Sequence, residues 1–245
     1  MLLGVALGLK DSDPWDETFY TYGDAPVEGA FVYAPSRGIM VSAPASPRAI
    51  DSMVAKSLTL QSGLAGVVGP RPHSDEVVRA WSRETGSPME LAIADLLYEL
   101  THPKPAPAAP GQPRLAAPHE ASMLVDWSGS LARETGEFFD PAFARHAVAR
   151  RIARNEIWIW AAPDAVCMLR ISPTGAGGNR ITSVFTPPPH RRNGYASSLL
   201  GHVLQLTAPT PCFLSTAAVN AVANRIYQRL GFQRAGEFAQ FKPVV

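Results

Sequence analysis

The sequence predicts an α/β (α+β) chain built in two parts, and three observations carry that expectation. Short β-branched and aromatic runs alternate with segments of helical periodicity along the chain. Six of the 23 prolines crowd into residues 102–118, "HPKPAPAAPGQPRLAAP". Beyond them, two helical segments give way to three successive strand-like runs.

Length and composition permit this. A chain of 245 residues accommodates two ordinary domains, and 46% hydrophobic residues supply a core. The 22 basic and 21 acidic side chains leave a net charge of +1. That balance gives no global attraction for nucleic acid, although a local basic cluster suffices for a small anion. Cys167 and Cys212 stand far apart, and no CxxC, HExxH or acidic metal loop occurs, so neither a disulfide framework nor a metal is expected. The opening "MLLGVALGLK" has no positive residue ahead of its apolar run, and Lys10, Asp11 and Asp13 follow at once. A secretion signal is therefore not expected. No apolar run approaches the roughly 20 residues of a membrane helix. A soluble cytoplasmic protein without a membrane partner is the expectation.

In the first part, "EGAFVYAP" and "GIMVSAP" have strand composition around a Ser-Arg turn. In "SPRAIDSMVAKSLTL", Ile50, Met53, Val54 and Leu58 recur at helical spacing behind the start signals Ser46 and Pro47. "HSDEVVRAWSRETG" repeats that grammar: Ser74 reads as N-cap, Val77, Val78 and Trp81 share a face, and Gly86 follows the end. "MELAIADLLYEL" fits a helix or a strand. No catalytic constellation is visible here. The prolines remove donors and fix φ, so residues 102–118 read as an extended linker with a boundary near residue 112. A long loop within one domain is the other reading. The expected domains are 1–112 and 113–245.

The second part opens with helical periodicity in "HEASMLVDWSGSLARETGE", with Leu124, Trp127 and Leu131 on one face. In "DPAFARHAVARRIARNE", Asp140 caps, Pro141 takes the first helical position, and Phe143, Val148 and Ile152 face inward. Arg150, Arg151 and Arg154 read as a solvated face. "EIWIWAA", "AVCMLRIS" and "NRITSVFT" are strand-like, joined by Pro163-Asp164 and by "PTGAGG". The glycines 175, 177 and 178 join two strands rather than opening a helix, so they fit a hairpin better than a phosphate loop. After residue 112 the expected order is α, α, β, β, β, α, β, α, β, β, ending in "CFLST", "ANRIYQRLGF", "QRAGE" and "FAQFK".

The stretch "TSVFTPPPHRRNGYASSLLGHVLQL", residues 182–206, carries the most chemistry. A strand ends at Pro187–Pro189, and a helix starts near Gly194 with Leu199, Val203 and Leu206 on its inner side. A helix N-terminus offers free N–H groups and about half a positive charge. Gly194 admits close backbone approach, Ala196 and Ser197 keep the entrance small, and Arg191 and Arg192 add charge-assisted donors. The segment is either a phosphate or diphosphate seat or a capped surface helix with two solvated arginines.

"SVFT", then "RRNGYA" and a helix, then a strand followed by "NAVANRIYQRLGF", resembles the GNAT N-acetyltransferase superfamily. Arg191, Gly194 and Ala196 match its phosphate-binding pattern Q/R-x-x-G-x-G/A. Asn220, Asn224, Tyr227, Gly231 and Phe232 match its later signature in order and spacing. The resemblance covers residues 113–245 and implies a mixed, mostly antiparallel central sheet flanked by helices. The whole chain also resembles, more weakly, members whose N-terminal half is a degenerate second copy. No counterpart of "RRNGYA" occurs in residues 1–112, so one acyl-CoA site is expected.

The resemblance implies acetyl-CoA as donor and an amine as acceptor, reacting directly in a ternary complex. The diphosphate is expected on the N–H groups of residues 192–197, involving Arg191, Arg192, Asn193, Gly194, Tyr195, Ala196 and Ser197. The pantetheine arm is expected along Val184, Phe185 and Thr186, where a backbone N–H can stabilise an oxyanion. Tyr227 reads as general acid to the thiolate, or as packing on the apolar face with Ala223, Ile226 and Leu230. Asn220 and Asn224 read as cofactor-side residues, or as a helix cap and a surface residue. Strand 180–186 has no carboxylate, which leaves Glu156, Glu137, His190 or a water as base. An acyl-CoA-binding or regulatory protein without chemistry is the second hypothesis. A nucleotide-binding module taking ATP or NAD is a third, and it leaves "NRIYQRLGF" unexplained.

Overall fold

The computed structural model describes residues 18–244 except 25, 36–37, 61–62, 138 and 175–176. The N-terminal apolar run and the Ser-Arg turn lie outside the described residues. The chain forms two compact units. The first takes the residues up to Leu97, with Ser215–Val219 and the residues from Ala235 onward; the second takes Tyr98–Leu214 and Asn220–Arg234.

In the first unit, β1 (Thr18–Tyr22), β2 (Gly29–Ala34) and β3 (Gly38–Val41) form an antiparallel meander. Helix α1 (Pro47–Leu60) then crosses to β4 (Val67–Pro70), which lies parallel to β3. Helix α2 (Arg71–Thr85) follows, then β5 (Met89–Leu100), a strand rather than a helix. The final strand, β11 (Gln233–Pro243), is antiparallel to β4, and β5 lies beside it. Phe31, Ile39, Ile50, Val54, Val67 and Trp81 are central to this core. Leu58, expected inside, is 39% exposed, and Ser57 is buried in its place with its hydroxyl bonded to Met53 O. Ser74 is not an N-cap. The helix starts three residues earlier, and Ser74 Oγ donates back to Pro70 O and Arg71 O. Gly86 ends α2 in the left-handed region as expected.

The second unit runs β6 (Gln112–Leu115), α3 (Ala121–Thr135), α4 (Pro141–Ala153), β7 (Ile157–Ala161), β8 (Ala165–Pro173), β9 (Asn179–Phe185), α5 (Tyr195–Thr207), β10 (Cys212–Ala217) and α6 (Ala221–Leu230). Sheet order is β10-β9-β8-β7-β6, antiparallel except for the β9–β10 pair. β8 and β9 pair antiparallel on either side of "PTGAGG", as a hairpin requires. Asp140 caps α4 by accepting from Ala142 N and Phe143 N, a contribution of about 1 kcal/mol. Leu124, Val148, Ile152, Ile159 and Phe185 form the core.

Three expectations change here. The proline-rich stretch is not a free linker, because residues 104–110 are bonded into the second unit. Lys104 N donates to Leu230 O, Ser198 Oγ donates to Pro107 O and accepts from Ala109 N, and Trp160 Nε1 donates to Pro110 O. Its end forms β6, where Pro113 is tolerated because β6 pairs only with β7. "QRAGE" and "FAQFK" are one strand, β11, and not two. In the arginine face, Arg151 is partly buried; burial, and then Arg170 nearby, push its guanidinium down to about 10. Among the described residues no helix is long and apolar enough to cross a membrane.

Candidate active site

β9 and β10 lie parallel but pair only at Asn179↔Cys212 and Arg180↔Phe213. Beyond those pairs, at the carboxyl ends of the two strands, lies a cavity of about 560 Å³. Openings at the carboxyl ends of parallel strands are where such sheets take ligands. On the β8 side, the register with β9 shifts between Met168 and Arg170, and Ser183 sits at φ +53°. This extra residue bulges β9 just before Val184, Phe185 and Thr186, all three of which line the cavity. Prolines 187–189 cannot extend the ladder.

The segment from His190 to Ser197 forms one end of the cavity, through His190, Arg191, Arg192, Gly194, Tyr195, Ala196 and Ser197. Arg192 and Gly194 turn the chain with φ +68° and +80°. A Cβ at Gly194 would meet only Ala109 Cβ at 3.8 Å, so glycine is required for its conformation and not for space. Gly194 is the N-cap of α5 and supplies no capping side chain. The N–H groups of Tyr195, Ala196 and Ser197 therefore have no partner from the helix itself. Asn193 is not on the wall; its Nδ2 donates to His190 O and Arg191 O and tightens the turn.

Arg191 is engaged rather than solvated. Its Nη2 donates to both Glu134 oxygens at 2.6 and 2.8 Å, its Nε donates to Thr186 O at 2.9 Å, and its guanidinium lies 5.8 Å from the Phe185 ring centroid. Glu134, in the last turn of α3, lines the same cavity and was missed in the sequence reading. Nothing in "SLARETGE" marks it out from Glu137. Only the return of α3 past the strand end does so.

On the far wall, α6 starts at Asn220, whose Oδ1 accepts from Ala223 N at 3.1 Å. Asn220 therefore caps the helix and also lines the cavity. Asn224 is buried, off the wall. It accepts from Tyr98 Oη at 2.8 Å and donates to Asn220 O, which makes it a brace for α6 and not a surface residue. Tyr227 is 7% exposed yet lines the cavity, packed near Tyr98 and Phe232. Burial first, then the neighbouring Cys167 and Tyr98, push its phenol well above the ordinary tyrosine range. Burial likewise pushes the Cys167 thiol up to about 11, against a hydrogen bond from Thr186.

The candidate bases separate. Glu156 is buried and tied to Arg170 at 2.7–2.8 Å, so it is structural. Glu137 lies off the cavity wall, whereas His190 is on it. Leu206, expected on the buried side of α5, is 57% exposed, and Leu199, Leu200, Val203 and Leu204 are buried instead.

An uncapped helix start, a bulged strand end and a buried phenol thus share one cavity. The sequence of residues 123–232 matches the acetyltransferase (GNAT) family model. The match spans rather less than half of the chain, and it is this segment that is similar to the GNAT family. Solved structures similar in fold include a GCN5-related N-acetyltransferase from Kribbella flavida (14% identity, TM-score 0.63, 99% of this chain and 93% of that one). An acetyltransferase from the GNAT family of Colwellia psychrerythraea is also similar (13%, 0.63, 93% and 85%). A tandem GNAT protein from the clavulanic acid biosynthesis pathway (13%, 0.60, 98% and 87%) supports a GNAT-like fold for the half preceding the matched domain. Comparison with curated proteins finds no match.

Proposed function

We propose that the second unit is an acetyl-CoA-dependent N-acetyltransferase that moves an acetyl group onto an amine by direct attack in a ternary complex. The observation that carries this reading is the shared cavity. One wall presents the uncapped N–H groups of Tyr195, Ala196 and Ser197 with Arg192, the floor is the bulged strand end Val184–Thr186, and the opposite wall holds Tyr227. These parts suit a diphosphate, an extended amide-containing arm and a leaving thiolate respectively.

Each residue then has a role. The α5 N-terminus holds the diphosphate with Arg192 and with Arg191, which exchanges the Glu134 carboxylate for it. The β9 backbone beyond Ser183 pairs with the arm and offers an N–H to the carbonyl oxygen. The amine attacks the thioester carbon, the carbon–sulfur bond breaks, and Tyr227 Oη gives its proton to the departing sulfur. Its raised pKa keeps the phenol protonated throughout the neutral range. The amine's proton leaves to His190 or to water. Cytoplasmic residence fits two free buried cysteines.

One observation favours acyl-CoA binding without turnover: Glu134 is the only carboxylate among the lining residues, and Arg191 holds it. Calorimetric titration decides first whether the cofactor seat exists. Acetyl-CoA should bind saturably, ATP and NAD should not, and Arg192→Ala and Gly194→Asp should weaken binding. An amine screen with Tyr227→Phe then separates enzyme from binder. Failure of acetyl-CoA to bind folded protein overturns both readings.

A further inference from the structure

Among the described residues, Glu134 is the only carboxylate on the wall of the second unit's cavity. The other charged or titratable groups lining it are His190, Arg191, Arg192, Tyr195 and Tyr227. Glu134 stands in the last turn of α3, and Leu131 and Thr135 line the cavity beside it. One guanidinium separates its carboxylate from the strand end. Arg191 Nη2 donates to the two Glu134 oxygens at 2.6 and 2.8 Å, and Arg191 Nε donates to Thr186 O at 2.9 Å. Thr186 ends the run Val184–Thr186 on which the acetyl-bearing arm is placed. Glu134 thus stands beside that backbone, where a bridging water suffices to connect a base to an amine.

Paired in this way, both Glu134 oxygens are engaged by one cation. Both side chains are well exposed, so water competes for the pair and it is weakly held. Arg191 gains more from a diphosphate, a more highly charged acceptor that also meets the N–H groups of Tyr195, Ala196 and Ser197. Once Arg191 turns to that acceptor, the Glu134 carboxylate has lost its cation and faces a like charge. The side chain is then free to turn its oxygens toward an acceptor molecule.

We propose that seating a diphosphate on Arg191 frees Glu134, and that the freed carboxylate takes the acceptor's proton through a water. Glu134 is thus withheld as a base until the donor is bound. This role rests on the acetyl-transfer reading and names the group to which the water passes the proton. The protons balance. An ammonium gives one proton through the water to a Glu134 oxygen, and its freed lone pair closes the carbon–nitrogen bond. The carbon–sulfur pair leaves on sulfur, which takes the Tyr227 Oη proton. The nitrogen's remaining surplus proton returns to the Tyr227 phenolate through water, and Glu134 releases its own to solvent.

The test uses the full chain. Carbon-13 carboxyl NMR, with the Glu134 signal assigned by its loss in Glu134→Gln, follows the side chain as CoA is titrated in. The signal should shift on saturation, and in Arg191→Ala it should stand near that end point beforehand; an unmoved signal overturns the release. Turnover is read as thiol release with tyramine, spermidine, lysine and an alanyl peptide as acceptor probes. Glu134→Gln should bind acetyl-CoA at least as tightly as wild type, which shows it folded, yet lose about 100-fold in kcat at pH 7. Glu134→Asp should recover part of that loss. The deficit should shrink about tenfold per pH unit toward the amine's own pKa of about 10, because a neutral amine has already shed its first proton. Unchanged kcat in Glu134→Gln, or a deficit that pH leaves constant, overturns Glu134 as proton acceptor and leaves acetyl transfer standing. Wild type that binds acetyl-CoA but turns over none of the probes overturns the transfer reading and this role together.

Discussion

Glu134→Gln tests the part Arg191 plays in the proposed diphosphate seat. Both Glu134 oxygens accept from Arg191 Nη2, at 2.6 and 2.8 Å, with side-chain exposures of 45% for Glu134 and 42% for Arg191. A pair this exposed contributes about 0–1 kcal/mol to stability, so the melting temperature should move little. Its effect on a ligand is larger in kind, because a diphosphate and the Glu134 carboxylate compete for one guanidinium. Removing the carboxylate charge relieves that competition and should tighten acetyl-CoA binding about two- to fivefold, the affinity equivalent of 0.5–1 kcal/mol. Arg191→Ala should weaken binding about 10- to 100-fold, as loss of a charge-assisted bond does. Calorimetry at two salt concentrations reads both effects, and the gain in Glu134→Gln should shrink at high salt. If Glu134→Gln instead weakens binding as much as Arg191→Ala, Glu134 positions the arginine and the competition argument is refuted.

Further outcomes follow from other contacts. Tyr227→Phe should lower kcat about 100-fold or more while leaving the acetyl-CoA Kd unchanged; undiminished turnover would make Tyr227 a packing residue. Because burial raises the Tyr227 pKa, its folded-state advantage is full below the unfolded value of about 10 and disappears as pH rises through the folded value. Alkaline denaturation should therefore begin later in Tyr227→Phe than in wild type. Glu120 behaves in the opposite sense. The Arg114 hydrogen bonds, helped by Ala117 N–H and opposed by burial, hold its carboxyl below the usual range. Glu120→Gln should cost about 1–3 kcal/mol in urea unfolding at pH 7, and the difference should vanish as pH falls through the folded value. A Cβ at Gly201 would overlap that of Ala106, so Gly201→Val should lower stability by about 1–3 kcal/mol; an unchanged melting curve would mean that the 104–110 segment detaches freely.

Local signals were legible where local physics decides. Asp140 with Pro141, Gly86, and the strand–proline–glycine–helix order at 182–206 are each settled within a few residues, and these elements form as expected, although Leu206 faces outward. Signals that depend on distant partners were not legible. Ser74 is hydroxyl-rich punctuation in the sequence, but Pro72 already fits a helix start and moves it upstream. "MELAIADLLYEL" has both periods, and β11 as neighbour decides for strand. Proline content suggested a linker, yet Ser198 and Trp160 supply the bonds that the prolines cannot make for themselves. Within the candidate site, the glycine turn and Tyr227 were visible. Glu134, the Ser183 bulge and the brace between Asn224 and Tyr98 were not, because each depends on a second element arriving from elsewhere in the chain.

The interleaving of the two units bears on how this protein can be inherited. Each unit is drawn from separated segments, the first reclaiming Ser215–Val219 and the residues from Ala235 onward after the second has nearly finished. A gene truncated at either end would remove part of the first unit, and no single break in the coding sequence yields the second unit whole and alone. Losing the first unit would take three removals, of the residues up to Leu97, of Ser215–Val219 and of the residues from Ala235 onward, with Leu214 rejoined to Asn220.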